Sequence, residues 1–214
     1  MVFPLSCSKS LRQAVFFKEF QMFNEQAQSH DLVAAALATA KRIEDGAAAK
    51  GYFTLQCLDK DGKLKWEDVV PNLVVNVGLQ DMNDKYFKGA TYTAAWFIGL
   101  YGAGASNTPA AGDTSASHAG WTEVVPYSNA TRPAATFGTA TTANPSVQTN
   151  SASPASFTIN ATQTVGGAFL ISDSTKSGTT GVLFSASDFT APGDRSVVSG
   201  DTLNVTYTFS LTAT

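Results

Sequence analysis

Charge is scarce in this sequence. Of 214 residues, 14 are Lys or Arg and 17 are Asp or Glu, 14% in all, against about a quarter in an ordinary globular domain. The net charge of −3 provides no basic footprint of the kind that grips DNA or RNA, which argues against a nucleic-acid partner. Cysteine is scarcer still. Cys7 and Cys57 are too few for a disulfide framework. They read as two reduced thiols, the usage expected of a chain folded in a reducing cytoplasm. No apolar run approaches the roughly 20 residues that a membrane helix needs. The start, Met1-Val2-Phe3-Pro4-Leu5-Ser6, lacks the basic, apolar and small-residue succession of a signal peptide. Asn-x-Thr triplets at Asn129, Asn160 and Asn204 are what chance produces in a chain rich in Thr and Asn.

An apolar share of 43% is enough for a packed core, and the length suits one domain, or one domain with an arm. The composition divides the chain. Residues 1–90 carry 22 of the 31 charged residues, and residues 91–214 carry nine, with Arg132, Lys176 and Arg195 as the only cations. The second part is rich instead in Thr, Ser, Ala and Gly. Phe16, Phe20 and Phe23 stand at i, i+4 and i+7 over residues 9–29, the spacing of an apolar helix face. An Ala-rich stretch over about 32–45 predicts a second helix, with Lys41 and Arg42 near its negative end and Gly46 as its stop. Residues 1–50 are therefore expected to form an N-terminal helical arm, with the Phe16, Phe20 and Phe23 stripe as candidate interface to another subunit or to a capsid. The bland alternative is an ordinary core face.

From residue 51 the period falls to two. Residues 52–58 and 63–67 predict a hairpin about the turn Asp59-Lys60-Asp61-Gly62. A short helix is expected over 76–88, with Leu79, Met82 and Tyr86 on one face and Gly89 as its stop. Tyr92–Tyr101 reads as a buried strand and 102–118 as loop. Short strands are expected near 121–125, 155–161, 165–172 and 181–186. In the last strand Leu203, Val205, Tyr207, Phe209 and Leu211 alternate with Thr202, Asn204, Thr206, Thr208 and Ser210. The expectation for 51–214 is a mainly β domain, a jelly-roll-like β-sandwich.

Chemistry-bearing motifs are thin. Asp59-Lys60-Asp61-Gly62 with Glu67 resembles a fragment of a calcium loop, but the loop is too short and lies between strands. Gly99-Leu100-Tyr101-Gly102-Ala103-Gly104 lacks the following helix and distant acid of a dinucleotide site and reads as a loop. His30 and His118 are the only histidines. Neither shows the ligand spacing of zinc, and Asp113 near His118 in sequence is not a triad. Residues 91–214 hold six acids, few from which to draw a glycosidase pair. No catalytic, cofactor or metal residue is expected, and the chain reads as a non-enzyme.

Several segments resemble a group of structural proteins of tailed-bacteriophage virions. They are Pro71-Asn72-Leu73-Val74, Trp96-Phe97-Ile98-Gly99-Leu100, and Ala111-Gly112-Asp113-Thr114 followed by Ser117-His118-Ala119-Gly120-Trp121-Thr122-Glu123. Tyr127-Ser128, Thr131-Arg132-Pro133, Gly167-Ala168-Phe169-Leu170, Ser177-Gly178-Thr179-Thr180-Gly181 and Ser199-Gly200-Asp201-Thr202-Leu203 continue the order. The resemblance spans roughly 52–214 and supplies no catalytic residue. It implies a virion protein, made in the host cytoplasm, of the capsid decoration (cement) type. Such a protein binds assembled major capsid protein on the capsid surface and associates with itself, here expected as a homotrimer, with no nucleic acid and no membrane. The alternatives are a tail or fibre-associated protein that recognises a host glycan, with Trp121 and Tyr127 as candidate aromatics, and a β-sandwich hydrolase.

Overall fold

A computed structural model describes residues 46–92, 95–102, 108–189 and 193–214. The expected helices over 9–29 and 32–45, and with them Phe16, Phe20 and Phe23, lie outside the described residues. In chain order the elements are β1 (Ala47–Leu58), β2 (Leu64–Pro71), β3 (Leu73–Val74), α1 (Asn76–Tyr86), β4 (Phe97–Gly102), β5 (Glu123–Val124), β6 (Ser146–Thr149), β7 (Ala155–Thr158), β8 (Gln163–Ile171), β9 (Leu183–Asp188), β10 (Arg195–Val197) and β11 (Thr202–Ala213). β1 starts inside the span assigned to the arm, so residues 47–50 belong to the sheet. The pairing of Ala47 with Ala213 and of Ala49 with Leu211 overrides the low strand preference of alanine.

Two antiparallel sheets make a β-sandwich-like fold. The first has the order β2-β1-β11, with β6 and β7 sharing the far edge of β11; the second has the order β3-β9-β8-β4-β5, with β10 beside the start of β8. The predicted hairpin is present. Asp59 Oδ1 accepts the backbone N–H groups of Asp61 and Lys63, both at 2.9 Å, and Gly62 supplies the positive φ of +78° that the turn requires. The Asp59 carboxylate is thus a turn element. These bonds, with that to Lys63 the stronger, hold it below its ordinary range.

The alternation in β11 puts Leu203, Val205 and Tyr207 into the core opposite Phe53, Leu55 and Cys57 of β1. They pack on Ile98, Leu100, Ala168 and Leu170 of the second sheet. Burial of side chains of this size contributes about 1.5–3 kcal/mol each. β8 is buried on both faces from Val165 to Ile171. Its outer face forms a second cluster, in which Tyr101, Phe169 and Ile171 pack beneath Trp121. The loop over 108–122 therefore roofs the second sheet, which explains why β8 and β4 read as continuous apolar runs.

Gly99 and Gly167 are packing residues. Gly99 pairs with Phe169 and Gly167 with Tyr101 across β4 and β8. A Cβ on Gly99 would lie 2.1 Å from Phe169 Cζ, and one on Gly167 would lie 2.0 Å from the Ser187 carbonyl oxygen and 2.5 Å from Tyr101 Cε1. Gly99 and Gly102 are strand residues, so the loop reading of that glycine run is corrected there. Other departures are local. Tyr92 is 66% exposed, and the strand expected from it begins only at Phe97. β3, β6 and β10 are short strands that no alternation announced.

The helix over 76–88 forms as Asn76–Tyr86, and Gly89 follows at φ +69°. Of the expected face of Leu79, Met82 and Tyr86, Met82 packs against the core and the other two do not. Leu79 is 40% exposed and Tyr86 84% exposed. Gly78 is the helix residue that is buried, where a Cβ would stand 2.4 Å from the Phe184 carbonyl oxygen. With the helix this close to β9, Met82 packs against the core while Leu79 and Tyr86 are left exposed.

Candidate functional site: a buried arginine clamp and an open apolar groove

Segments distant in sequence, those of Glu123, Phe169, Asp173 and Gly178, meet around Arg132. Its Nε donates to Glu123 Oε1 and its Nη2 to Glu123 Oε2, both at 2.8 Å. Nη1 donates to the Asp173 carbonyl at 2.8 Å and Nη2 to the Gly178 carbonyl at 3.3 Å, and the guanidinium lies 5.3 Å from the centroid of the Phe169 ring. Arg132 is 3% exposed. A bidentate, fully hydrogen-bonded pair is the arrangement in which a buried charge is tolerated.

Neighbouring loops are fastened to the same point. The Ser177 N–H donates to Glu123 Oε2 at 2.5 Å, which holds Ser177 at φ +54°. Asp173 accepts the Thr180 hydroxyl and, at 2.9 Å, the Thr175 N–H. The Thr180 bond is the main reason its carboxyl stays below the ordinary range. Ser115 Oγ contacts the carbonyls of Thr179 and Gly181 at 3.1 and 2.8 Å. Trp121 Nε1 donates to Asp113 Oδ2 at 3.0 Å, and Asp113 also accepts the Ala110 N–H. His118 stacks on Trp121 at 3.9 Å between ring centroids, with its Nδ1 2.9 Å from the Trp121 carbonyl.

Asp113 and His118 therefore face Trp121 rather than one another. A recess of about 290 Å³ opens beside the clamp. Ser115 and Ser177 are both on its wall, and the Ser115 hydroxyl is bound to carbonyls. Among the described residues, no group of three or more His, Cys, Asp or Glu is placed to hold a metal. Trp121 and Tyr127, the aromatics considered for glycan recognition, are 4% and 2% exposed. Their rings are covered by protein, with the Lys176 ammonium 3.8 Å from the Tyr127 ring centroid.

The accessible apolar surface lies elsewhere. At one end of the sandwich β1 and β11 run on past the core, and the inward row of β11 continues as Phe209 and Leu211. Facing that row are Trp96, Phe137 and Phe184, and the space between is a groove of about 940 Å³, at the upper end of the range for ligand clefts. Tyr86, Phe87 and Tyr92 stand on its rim, at 84%, 80% and 66% exposure. Tyr86 and Phe87 meet edge to face at 4.9 Å. The Lys85–Asp81 ion pair at 3.7 Å marks a polar margin. Ala47, the first residue of β1, also lines the groove. No sequence signal identified this groove. α1 docks through Gly78 and leaves Tyr86 exposed at its end.

Comparison with family models, with curated proteins and with solved structures finds no match. No helix among the described residues is long and apolar enough to cross a membrane.

Proposed function

We propose that this chain is a non-enzymatic structural protein of a tailed-phage virion, a decoration (cement) protein that binds the assembled major capsid lattice and associates as a homotrimer. In this reading it is made in the host cytoplasm and ends on the capsid surface, its sandwich winds in a jelly-roll-like manner, and residues 1–50 include a helical arm. The observation that carries the proposal is the convergence on Arg132. Three of the segments that resemble virion proteins, those of Glu123, Arg132 and Ser177–Gly178, are fastened to one another there, with the Glu123 and Arg132 charges paired. The charges of that cluster are used up within the fold, and the accessible apolar surface is the groove lined by Trp96, Phe137 and Phe209. A ligand that binds only the assembled lattice stabilises it by mass action, and several copies clustered on the lattice add weak contacts together.

The test is co-sedimentation of the full chain with assembled phage heads and, separately, with unassembled major capsid protein. Binding to assembled heads alone is the expected result. Failure to bind heads of the phage that encodes the chain overturns the decoration reading. Density for the chain on tail fibres in images of the same particles would favour the tail reading. Tyr86, Phe87 and Tyr92 are then the aromatic surfaces a glycan would meet, because Trp121 and Tyr127 are covered.

A further inference from the structure

We propose that Asp188 and Asp194 bind a calcium ion on the outer face of the second sheet, with the Tyr101 phenol oxygen as a third ligand. The site uses neither the Arg132 clamp nor the apolar groove, and it does not rest on the virion reading.

Tyr101, Gly167 and Asp188 stand in one row across β4, β8 and β9, Tyr101 opposite Gly167 and Gly167 opposite Asp188. Gly167 has no side chain, and the Tyr101 ring takes the space one would fill, with Cε1 2.5 Å from where a Cβ would be. The ring therefore crosses β8 towards Asp188. Trp121 covers it at 5.3 Å between centroids, and Tyr101 is fully buried. Its hydroxyl makes no hydrogen bond of ordinary geometry, a condition that folded proteins rarely leave unexplained.

Asp194 comes to the same place from β10. The Phe189 N–H donates to the Gly166 carbonyl at 2.8 Å, and Arg195 pairs with Val165, whose other edge is taken by Gly102 of β4. β9 and β10 thus lie along one edge of β8, and the residues opposite Asp188 and Arg195 are two apart, about 7 Å. Arg195 turns inward, with its guanidinium 5.7 Å from the Phe189 ring centroid and its Nη2 2.5 Å from Asp68 Oδ2. Alternation then puts Asp194 on the outer face with Asp188 and Tyr101. Asp188 is half-buried and Asp194 exposed. Neither makes an ion pair among the described residues. Burial, then Asp188, then Asp194 hold the Tyr101 phenol above its ordinary range, so it meets an ion as a neutral oxygen.

Two carboxylates without a cation and a phenol oxygen without a partner are an all-oxygen ligand set. Such a set suits a hard ion rather than zinc, which favours nitrogen and sulfur. Calcium accepts flexible geometry and lets water complete its shell, whereas magnesium demands a near-ideal octahedron. With only two charged ligands the affinity lies at the weak end, a dissociation constant of about 10⁻⁴ to 10⁻³ M. The ion ties the end of β9 and the start of β10 to β4.

The test uses the full chain and two probes, terbium(III) and calcium chloride. Terbium bound at this site should emit when the aromatic residues are excited, because Tyr101 is a ligand and Trp121 lies against it. Calcium at millimolar concentration should displace the terbium and raise the thermal midpoint, and magnesium at the same concentration should do so less. Asp188→Asn with Asp194→Asn should weaken calcium binding by about tenfold or more and abolish the rise in midpoint. Tyr101→Phe, which keeps the ring, should weaken binding as well. Calcium that neither displaces terbium nor moves the midpoint of the wild-type chain overturns the proposal. So does binding of unchanged strength in the double variant, which would place the ion elsewhere. If the double variant does not fold, Asp194→Asn alone at its exposed position decides, and unchanged calcium affinity there overturns the site.

Discussion

Asn150 and Tyr207 are joined twice, and the pairing holds β11 where it changes partners. Asn150 Oδ1 accepts the Tyr207 N–H at 2.6 Å, and the Asn150 N–H donates to the Tyr207 carbonyl at 3.3 Å. Its Nδ2 donates to the Val205 carbonyl at 3.3 Å. β6 pairs with Thr208–Leu211 and β7 with Thr202–Val205, so the Asn150 amide bridges the interval between the two short strands. The opposite end of the Tyr207 side chain ties the sheets together. Its hydroxyl accepts Asn72 Nδ2 at 2.9 Å and lies 3.3 Å from Ser185 Oγ on β9.

Asn150→Ala should therefore destabilise the fold by about 1–3 kcal/mol, the cost of leaving buried backbone groups without partners. Asn150→Asp keeps one acceptor but loses the donor to Val205 and buries a charge, so it should be at least as damaging. Urea midpoints of the two variants check this. Wild-type stability in Asn150→Ala would mean that water replaces the amide.

The Arg132–Glu123 clamp makes a sharper prediction. Arg132→Ala leaves Glu123 buried without its partner and should cost about 3–5 kcal/mol. Arg132→Lys should recover little, because an ammonium cannot reproduce two parallel bonds to a carboxylate together with two to carbonyls. The double variant Arg132→Ala with Glu123→Ala should lose less than the two single losses added. Strict additivity in that cycle would show that the pair does not act as a unit.

These two networks mark the limit of what the sequence discloses. The strict alternation of Leu203 to Leu211 gives the last strand, Asp59 to Gly62 gives the first turn, and Asn76 to Gly89 gives the helix. Periodicity reports which residues are apolar, and local turn chemistry is read directly. It cannot report that α1 approaches β9 through Gly78, so of Leu79, Met82 and Tyr86 it does not distinguish Met82, which packs on the core, from the two that are exposed. Nor can it report that Glu123, Arg132 and Asp173 meet, because their separations of 9 and 41 residues are closed by sheet pairing. The groove is still less legible, since it is a space between elements. Its rim residues looked like ordinary core positions in the sequence.

Gly167→Ala should abolish stable folding or cost more than about 4 kcal/mol, the range reserved for severe steric conflicts, because the new methyl meets backbone at Ser187 and the Tyr101 ring. Gly99→Ala meets only the Phe169 ring, a side chain that can shift, and should be milder. Gly112→Ala is the control, as nothing lies within 4 Å of the added carbon. Thermal unfolding of the three variants should give the order Gly167, Gly99, Gly112 from most to least damaging.

The last prediction concerns alkaline pH. Cys57 is fully buried, and burial, reinforced by the Asp201 carboxylate oxygen 3.7 Å from its sulfur, pushes the thiol from 9.0 up to about 12. The folded protein thus keeps a proton that the unfolded chain releases. Stability from this group is complete below pH 9 and falls as pH rises from about 9 towards 12, by at most about 1.4 kcal/mol for each unit in that interval. Its share is greatest from pH 9 to 10 and is read as the difference between proteins with and without the thiol. Lys65, raised from 10.5 by its bond to Asp201, contributes stability that is present below that value and is lost only above it. The phenols of Tyr101, Tyr127 and Tyr207 are pushed up from 10.0 by burial, so they add to the loss as pH approaches 10, equally in both proteins compared below. With Cys7 replaced by Ser, the urea midpoint should fall between pH 9 and 10. The further change Cys57→Ala should lower stability at every pH but flatten that fall. Parallel profiles in the two proteins would remove Cys57 as the origin. The same burial should leave the thiol unmodified by iodoacetamide in the folded protein at pH 8 and fully reactive in urea.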